Sequence, residues 1–150
     1  MKKIALPIRY GIAISGSLTA FFLILSLFKA HTSPVFSMFN SVIMAFGIYE
    51  AIKVYKLRQG DKFNYTNGFS VGIITGFVAT LIFTIFFTLY ATEIDTLFLS
   101  QLLDVFKGDY NVGIGLVAFV VAIMGFATTV VLTLSFMQLF KNSRNVPQNP

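Results

Sequence analysis

The chain has no cysteine, a single histidine and few charges: 11% of its 150 residues are Asp, Glu, Lys or Arg. Without cysteine there are no disulfides, thiolate metal sites or cysteine nucleophiles, although the compartment stays open. The lone histidine, His31, has no second histidine with which to build a metal site. It falls beside Thr32 and Ser33 in what reads as a short, exposed loop, where its chemistry would be a response to pH. Metal-hydrolase and nucleotide-binding signatures are missing too. There is no HExxH, P-loop or paired intramembrane Asp, and Gly113-Ile114-Gly115 is only a fragment of a glycine-rich loop with no strand before it. The expectation is a protein that is not an enzyme, with no catalytic residue, cofactor or metal to assign.

What the chain has instead is apolar length. It is 56% hydrophobic with a mean hydropathy of +0.80. No charge lies between Tyr10 and Phe28, Ala30 and Tyr49, Phe63 and Thr92, or Tyr110 and Phe140. About 20 apolar residues cross a hydrocarbon core, so these runs predict spans at 9–28, 35–55, 67–91 and 113–138 in one integral membrane domain, 1–150. The net charge of +5 is not a nucleic-acid footprint, because its placement follows the spans. Lys2, Lys3 and Arg9, then Lys53, Lys56, Arg58 and Lys62, then Lys141 and Arg144 all fall on one side. Lys29 and Lys107 fall on the other, among Glu93, Asp95, Asp104 and Asp109. The positive-inside rule then puts both termini in the cytoplasm, and the membrane is read as the inner, cytoplasmic one. The apolar run after Lys2 and Lys3 is longer than a signal-peptide core and has no small-x-small cleavage site after it, so it reads as an uncleaved anchor.

The connections are short or patterned. Lys29 to Pro34 is tight enough to make the first two helices antiparallel neighbours, and Pro34 suits a first helical turn. Gly60-Asp61 marks a turn, and Asn64 is placed to cap the third helix. Between spans three and four, Ile94, Leu97, Phe98, Leu102, Val105 and Phe106 recur at helical spacing opposite Asp95, Ser100, Asp104 and Lys107. That predicts a short amphipathic helix over about 93–107, lying on or capping the bundle. Leu97, Phe98 and Leu102 are its candidate partner-docking residues. The tail 141–150, polar and rich in Pro and Asn, is expected to fray.

The third span carries a ladder. Gly68, Gly72, Gly76, Thr80, Thr84, Thr88 and Thr92 fall on one i+4 series, a single ridge of an α-helix. Shorter ladders occur at Gly11-Ser15-Thr19, Ser37-Ser41-Ala45 and Gly125-Thr129-Thr133. Lipid offers no hydrophobic drive for helix association, so small residues that permit close approach supply it. Gly68, Gly72, Gly76, Thr80, Thr84, Thr88, Gly125 and Thr129 are therefore assigned to helix packing. Each threonine hydroxyl is expected to bond a carbonyl of its own helix. A four-residue step drifts by ~40°, so the glycine end and the threonine end are expected to meet different helices. Glu50 and Lys53, three residues apart near the end of span two, read as an interfacial ion pair, with a proton or ion site as the sharper alternative. Asn40 is expected to hydrogen-bond across helices.

The second hairpin resembles a known family. Phe46-Gly47-Ile48-Tyr49, Tyr55-Lys56, Gly60-Asp61-Lys62-Phe63-Asn64-Tyr65 and Gly68-Phe69-x-x-Gly72 are similar to the motifs of the bacterial four-span membrane family catalogued as domain of unknown function 4199. The N-terminal lysines, the four spans and the amphipathic stretch fit as well. One departure is that Ile94-Asp95 is followed by Thr96, where the family often has Asp-Pro. The resemblance implies an architecture and no activity.

The fold class is thus an all-α membrane protein, a four-transmembrane-helix bundle with a short amphipathic helix between spans three and four. The leading function is a structural or accessory bundle that binds membrane lipids or membrane-protein partners, or further copies of itself. The alternative is a small oligomeric channel or transporter using the threonine ladder and Glu50. Biochemical activity, ligand, oligomeric state and partner identity are not written in the sequence.

Overall fold

The computed structural model of the protein describes residues 2–105 and 112–141. Helices α1 (Lys2–Leu27), α2 (Pro34–Gln59), α3 (Tyr65–Leu89), α4 (Phe98–Val105) and α5 (Ile114–Phe140) follow in order. Four of them, all but α4, are long and apolar enough to cross a membrane. The end of the amphipathic segment at 106–107 and the tail from 142 onward lie outside the described residues.

Local chemistry sets the boundaries. Pro34 opens α2, where its missing N–H leaves no bond unmade. The helix ends at Gly60, whose positive φ of 52° glycine tolerates without strain, and a 3₁₀ turn, Gly60–Lys62, follows. The Asn64 side chain accepts from the Thr66 N–H at 2.8 Å and so caps α3.

At its far end α3 widens into a π-helical turn, Tyr90–Ile94, closed by the Asp95 N–H donating to the Tyr90 carbonyl at 2.9 Å. Here the amphipathic segment differs from its predicted span. Helix α4 begins at Phe98 rather than near 93, because 90–94 still belongs to the preceding helix. Asp95 then takes an extended conformation and accepts from the Leu97 N–H at 3.1 Å. An aspartate that bonds its neighbouring backbone in this way competes with helix and ends it.

α3 is the central helix, packed against α1, α2 and α5. One core cluster joins Ile14 and Leu18 of α1, Met44, Ile48 and Ile52 of α2, Ala79 of α3 and Met137 of α5. The approach is close because glycines stand at the crossings. A Cβ on Gly11 would fall 2.7 Å from Val78 Cβ, and one on Gly47 would collide with Ile14.

Between α3 and α5 the fit is reciprocal. Gly72 faces Thr133, Gly76 faces Thr129, and Thr80 faces Gly125, each glycine receiving the branched side chain opposite. This corrects the expected division of the ladder. Thr80, on its threonine side, meets the same helix as the glycines. Beyond it the ridge leaves the interior, with Thr84 and Thr88 half-buried and Thr92 exposed.

The hydroxyls also divide. Thr88, Thr92 and Thr129 donate to carbonyls four residues back, at 2.9, 3.0 and 2.8 Å. Those of Thr75, Thr80, Thr84 and Thr133 are buried without a hydrogen bond. For Thr80 and Thr133 the side chain is held by its fit into a glycine notch rather than by its own carbonyl.

Candidate functional site

The two ends of the bundle differ in chemistry, and the acidic end holds a buried histidine. After α1 the chain reverses within a few residues. The Ala30 N–H donates to the Leu25 carbonyl at 2.9 Å while Lys29 adopts a φ of 53°, a left-handed helix-ending turn. This turn carries His31 inward. Its side chain is only 5% exposed, which corrects the expectation of an exposed loop residue.

The imidazole stacks on Phe98 with ring centroids 4.9 Å apart and planes at 16°, and it meets the edges of Phe22 at 5.5 Å and Tyr90 at 5.9 Å. Phe22, Phe87 and Tyr90 surround Phe98 at 5.5–5.6 Å. Phe98 is fully buried, so it is the plug that seats α4 and not part of a docking face. Of the other two candidate docking residues, Leu97 is exposed and Leu102 is half-buried against this aromatic cluster. The π turn matters here: it places Tyr90 and Ala91 in the cluster while Glu93 and Ile94 stay outside.

Neither ring nitrogen of His31 has a hydrogen-bond partner. The nearest charge is the Asp95 carboxylate, 4.0 Å from Nε2. Among the described residues no three His, Asp or Glu side chains gather, so the two stand as a pair. Burial pushes the His31 imidazole below its ordinary value of 6.5, and Asp95 pulls it part of the way back.

The sign of the pH dependence follows. The folded protein takes up this proton less readily than the unfolded chain does. The contribution of neutral His31 is therefore complete above about pH 6.5 and is lost as the pH falls from there through the lowered folded value. Thermal unfolding between pH 7.5 and 5 should show a midpoint that drops on acidification. His31→Phe should flatten that drop. Asp95→Asn should enlarge it, because a group that favours the charged ring is gone.

At the basic end, Lys53 Nζ and Glu50 Oε1 are 3.2 Å apart, with both side chains partly exposed. Lys53 also lies over the Tyr49 ring, 5.7 Å from its centroid. Lys56 donates to the Phe140 carbonyl at 2.9 Å, tying α2 to the end of α5. Asn40, expected to bond across helices, has a buried Oδ1 with no partner. Reading the sequence missed the aromatic box. Its trace was there in Phe21-Phe22, Phe86-Phe87 and Tyr90, bulky rings concentrated at one end of two spans.

No curated protein sequence and no solved structure is significantly similar to this chain. The family profile described as "Protein of unknown function (DUF4199)" matches residues 9–111, from α1 through the segment after α4. The match spans most of the chain and includes the hairpin motifs and the aromatic box, so the protein is a multi-pass membrane protein belonging to the DUF4199 family.

Proposed function

We propose that the protein is a non-enzymatic accessory of the cytoplasmic membrane that works by binding lipids and membrane-protein partners through its outer surface. In this reading the basic end faces the cytoplasm. One observation carries it. The most apolar window of α5 has a mean hydropathy of 2.5, the highest among the four long helices, yet only 11% of it is buried, against 44% for that of α3. Phe119, Ile123, Met124 and Val131 face outward from it, a rail suited to acyl chains or a neighbouring helix.

A channel would need open space along a continuous path lined by polar atoms. The notches at Gly72, Gly76 and Gly125 are instead filled by Thr133, Thr129 and Thr80. Native mass spectrometry of the protein released from its own membrane should find bound phospholipid or a defined partner, and proteoliposomes should show no protein-dependent ion flux. A bare protein that conducts ions would overturn the reading.

A further inference from the structure

At the basic end a cavity of about 310 Å³ opens between the start of α1 and the end of α2, lined by Ala5, Leu6, Arg9, Tyr10 and Arg58. Two guanidinium groups from different helices thus share one cleft. Neither has an ion pair with a carboxylate among the described residues. Leu6 is buried and gives the cleft an apolar wall.

From Arg9 an uncovered strip continues along α1. Ile12 is 53% exposed, Ala13 and Gly16 are exposed, and a Cβ at Gly16 would meet nothing within 4 Å. Ala5, Arg9, Ile12 and Gly16 recur at three- and four-residue spacing and so share one face. The cleft therefore joins a cationic, phenol-bearing mouth to a shallow apolar track running toward the membrane centre.

We propose that this cleft binds the phosphate of an anionic phospholipid, with Arg9 and Arg58 as its cationic clamp and one acyl chain laid along Ile12, Ala13 and Gly16. Guanidinium forks match phosphate oxygens in pairs, and basic pockets between spans hold anionic headgroups. The apolar track distinguishes a lipid from free phosphate, which would have no use for it. The inference rests on the lipid-binding half of the proposed function and gives it a location and a lipid class.

The test uses the full-length protein in mild detergent, titrated with phosphatidylglycerol, phosphatidylcholine or inorganic phosphate and read by native mass spectrometry. The wild type should retain phosphatidylglycerol in preference to phosphatidylcholine. Arg9→Gln with Arg58→Gln should weaken that retention roughly tenfold or more, while Lys62→Gln with Lys141→Gln, the same charge removed from the same end, should leave it nearly unchanged. Arg9→Lys with Arg58→Lys should fall between, which checks the fork chemistry in a variant that keeps its charge.

Equal losses in the two glutamine pairs would mean diffuse attraction and overturn the site. Full competition by millimolar inorganic phosphate would overturn the lipid assignment. Lipid retention indifferent to both arginines would refute this site alone. A wild type that retains neither lipid nor partner would refute the proposed function with it.

Discussion

Replacing Phe98 with alanine should lower stability by about 3–5 kcal/mol, the range for emptying a fully buried aromatic position. The structure makes this residue a plug. Its ring touches Phe22 from α1, Phe87 from α3, Tyr90 from the π turn and His31 from the first connection. Removing it opens a void that none of these rings is placed to fill, because each is already committed edge-on to Phe22 or to the imidazole.

The loss should have a second signature. Phe98 covers His31, so water that enters in its place relieves the burial that lowers the imidazole's proton affinity. Acidification from pH 7.5 to 5 should then destabilise Phe98→Ala less steeply than the wild type. Leu97→Ala, at the exposed residue just before α4, should stay within about 0.5 kcal/mol. Thermal unfolding of the three proteins at two pH values checks both points.

The second large effect is expected at Gly76. A Cβ built there would collide with Thr129 on α5. Thr129 is β-branched and its hydroxyl is tied to the Gly125 carbonyl at 2.8 Å, so it cannot swing aside without losing that bond. The helices must part instead, and Gly76→Leu should cost about 1–3 kcal/mol or more through overpacking. Gly16→Ala, where nothing lies within 4 Å, should be close to neutral.

The reciprocal crossing gives a stricter check. Gly125→Ala should be rescued in part by Thr80→Ala, since the atoms nearest the added methyl are Thr80 Cγ2 at 2.5 Å and Oγ1 at 2.8 Å. A double-mutant cycle in detergent should show favourable coupling between the two sites. Additive losses would mean that the two helices do not interlock there.

Much of this architecture was legible in advance because lipid imposes simple rules. Uncharged runs pointed to the four helices that are long and apolar enough to cross a membrane. Asn64 and Pro34 announced the helix starts they make, and the spacing of small residues on α3 and α5 marked the ridges that meet. The partition of those ridges was not legible. Periodicity gives the ~40° drift of a ridge but not how far a partner helix follows it, and α5 follows far enough to take Thr80 as well.

His31 was hidden for a related reason. A short connection between spans reads as exposed, and nothing in Lys29-Ala30-His31-Thr32-Ser33 reveals a left-handed turn at Lys29 or a phenylalanine some 67 positions later that covers the ring. The pairing of Arg9 with Arg58 in one cleft is likewise a property of the fold. Each alone looks like an ordinary charge at the end of a span.

The central claim is that the polar residues of the spans are packing atoms in a closed bundle and not the lining of a path. The chain has no cysteine, so single substitutions report cleanly. In proteoliposomes, Thr80→Cys and Thr84→Cys should resist a charged, water-soluble thiol reagent, while Thr92→Cys, at the exposed end of the same ridge, should react readily. Labelling of the cysteines at 80 and 84 at rates near that at 92 would mean that water reaches the middle of α3, and would contradict the account.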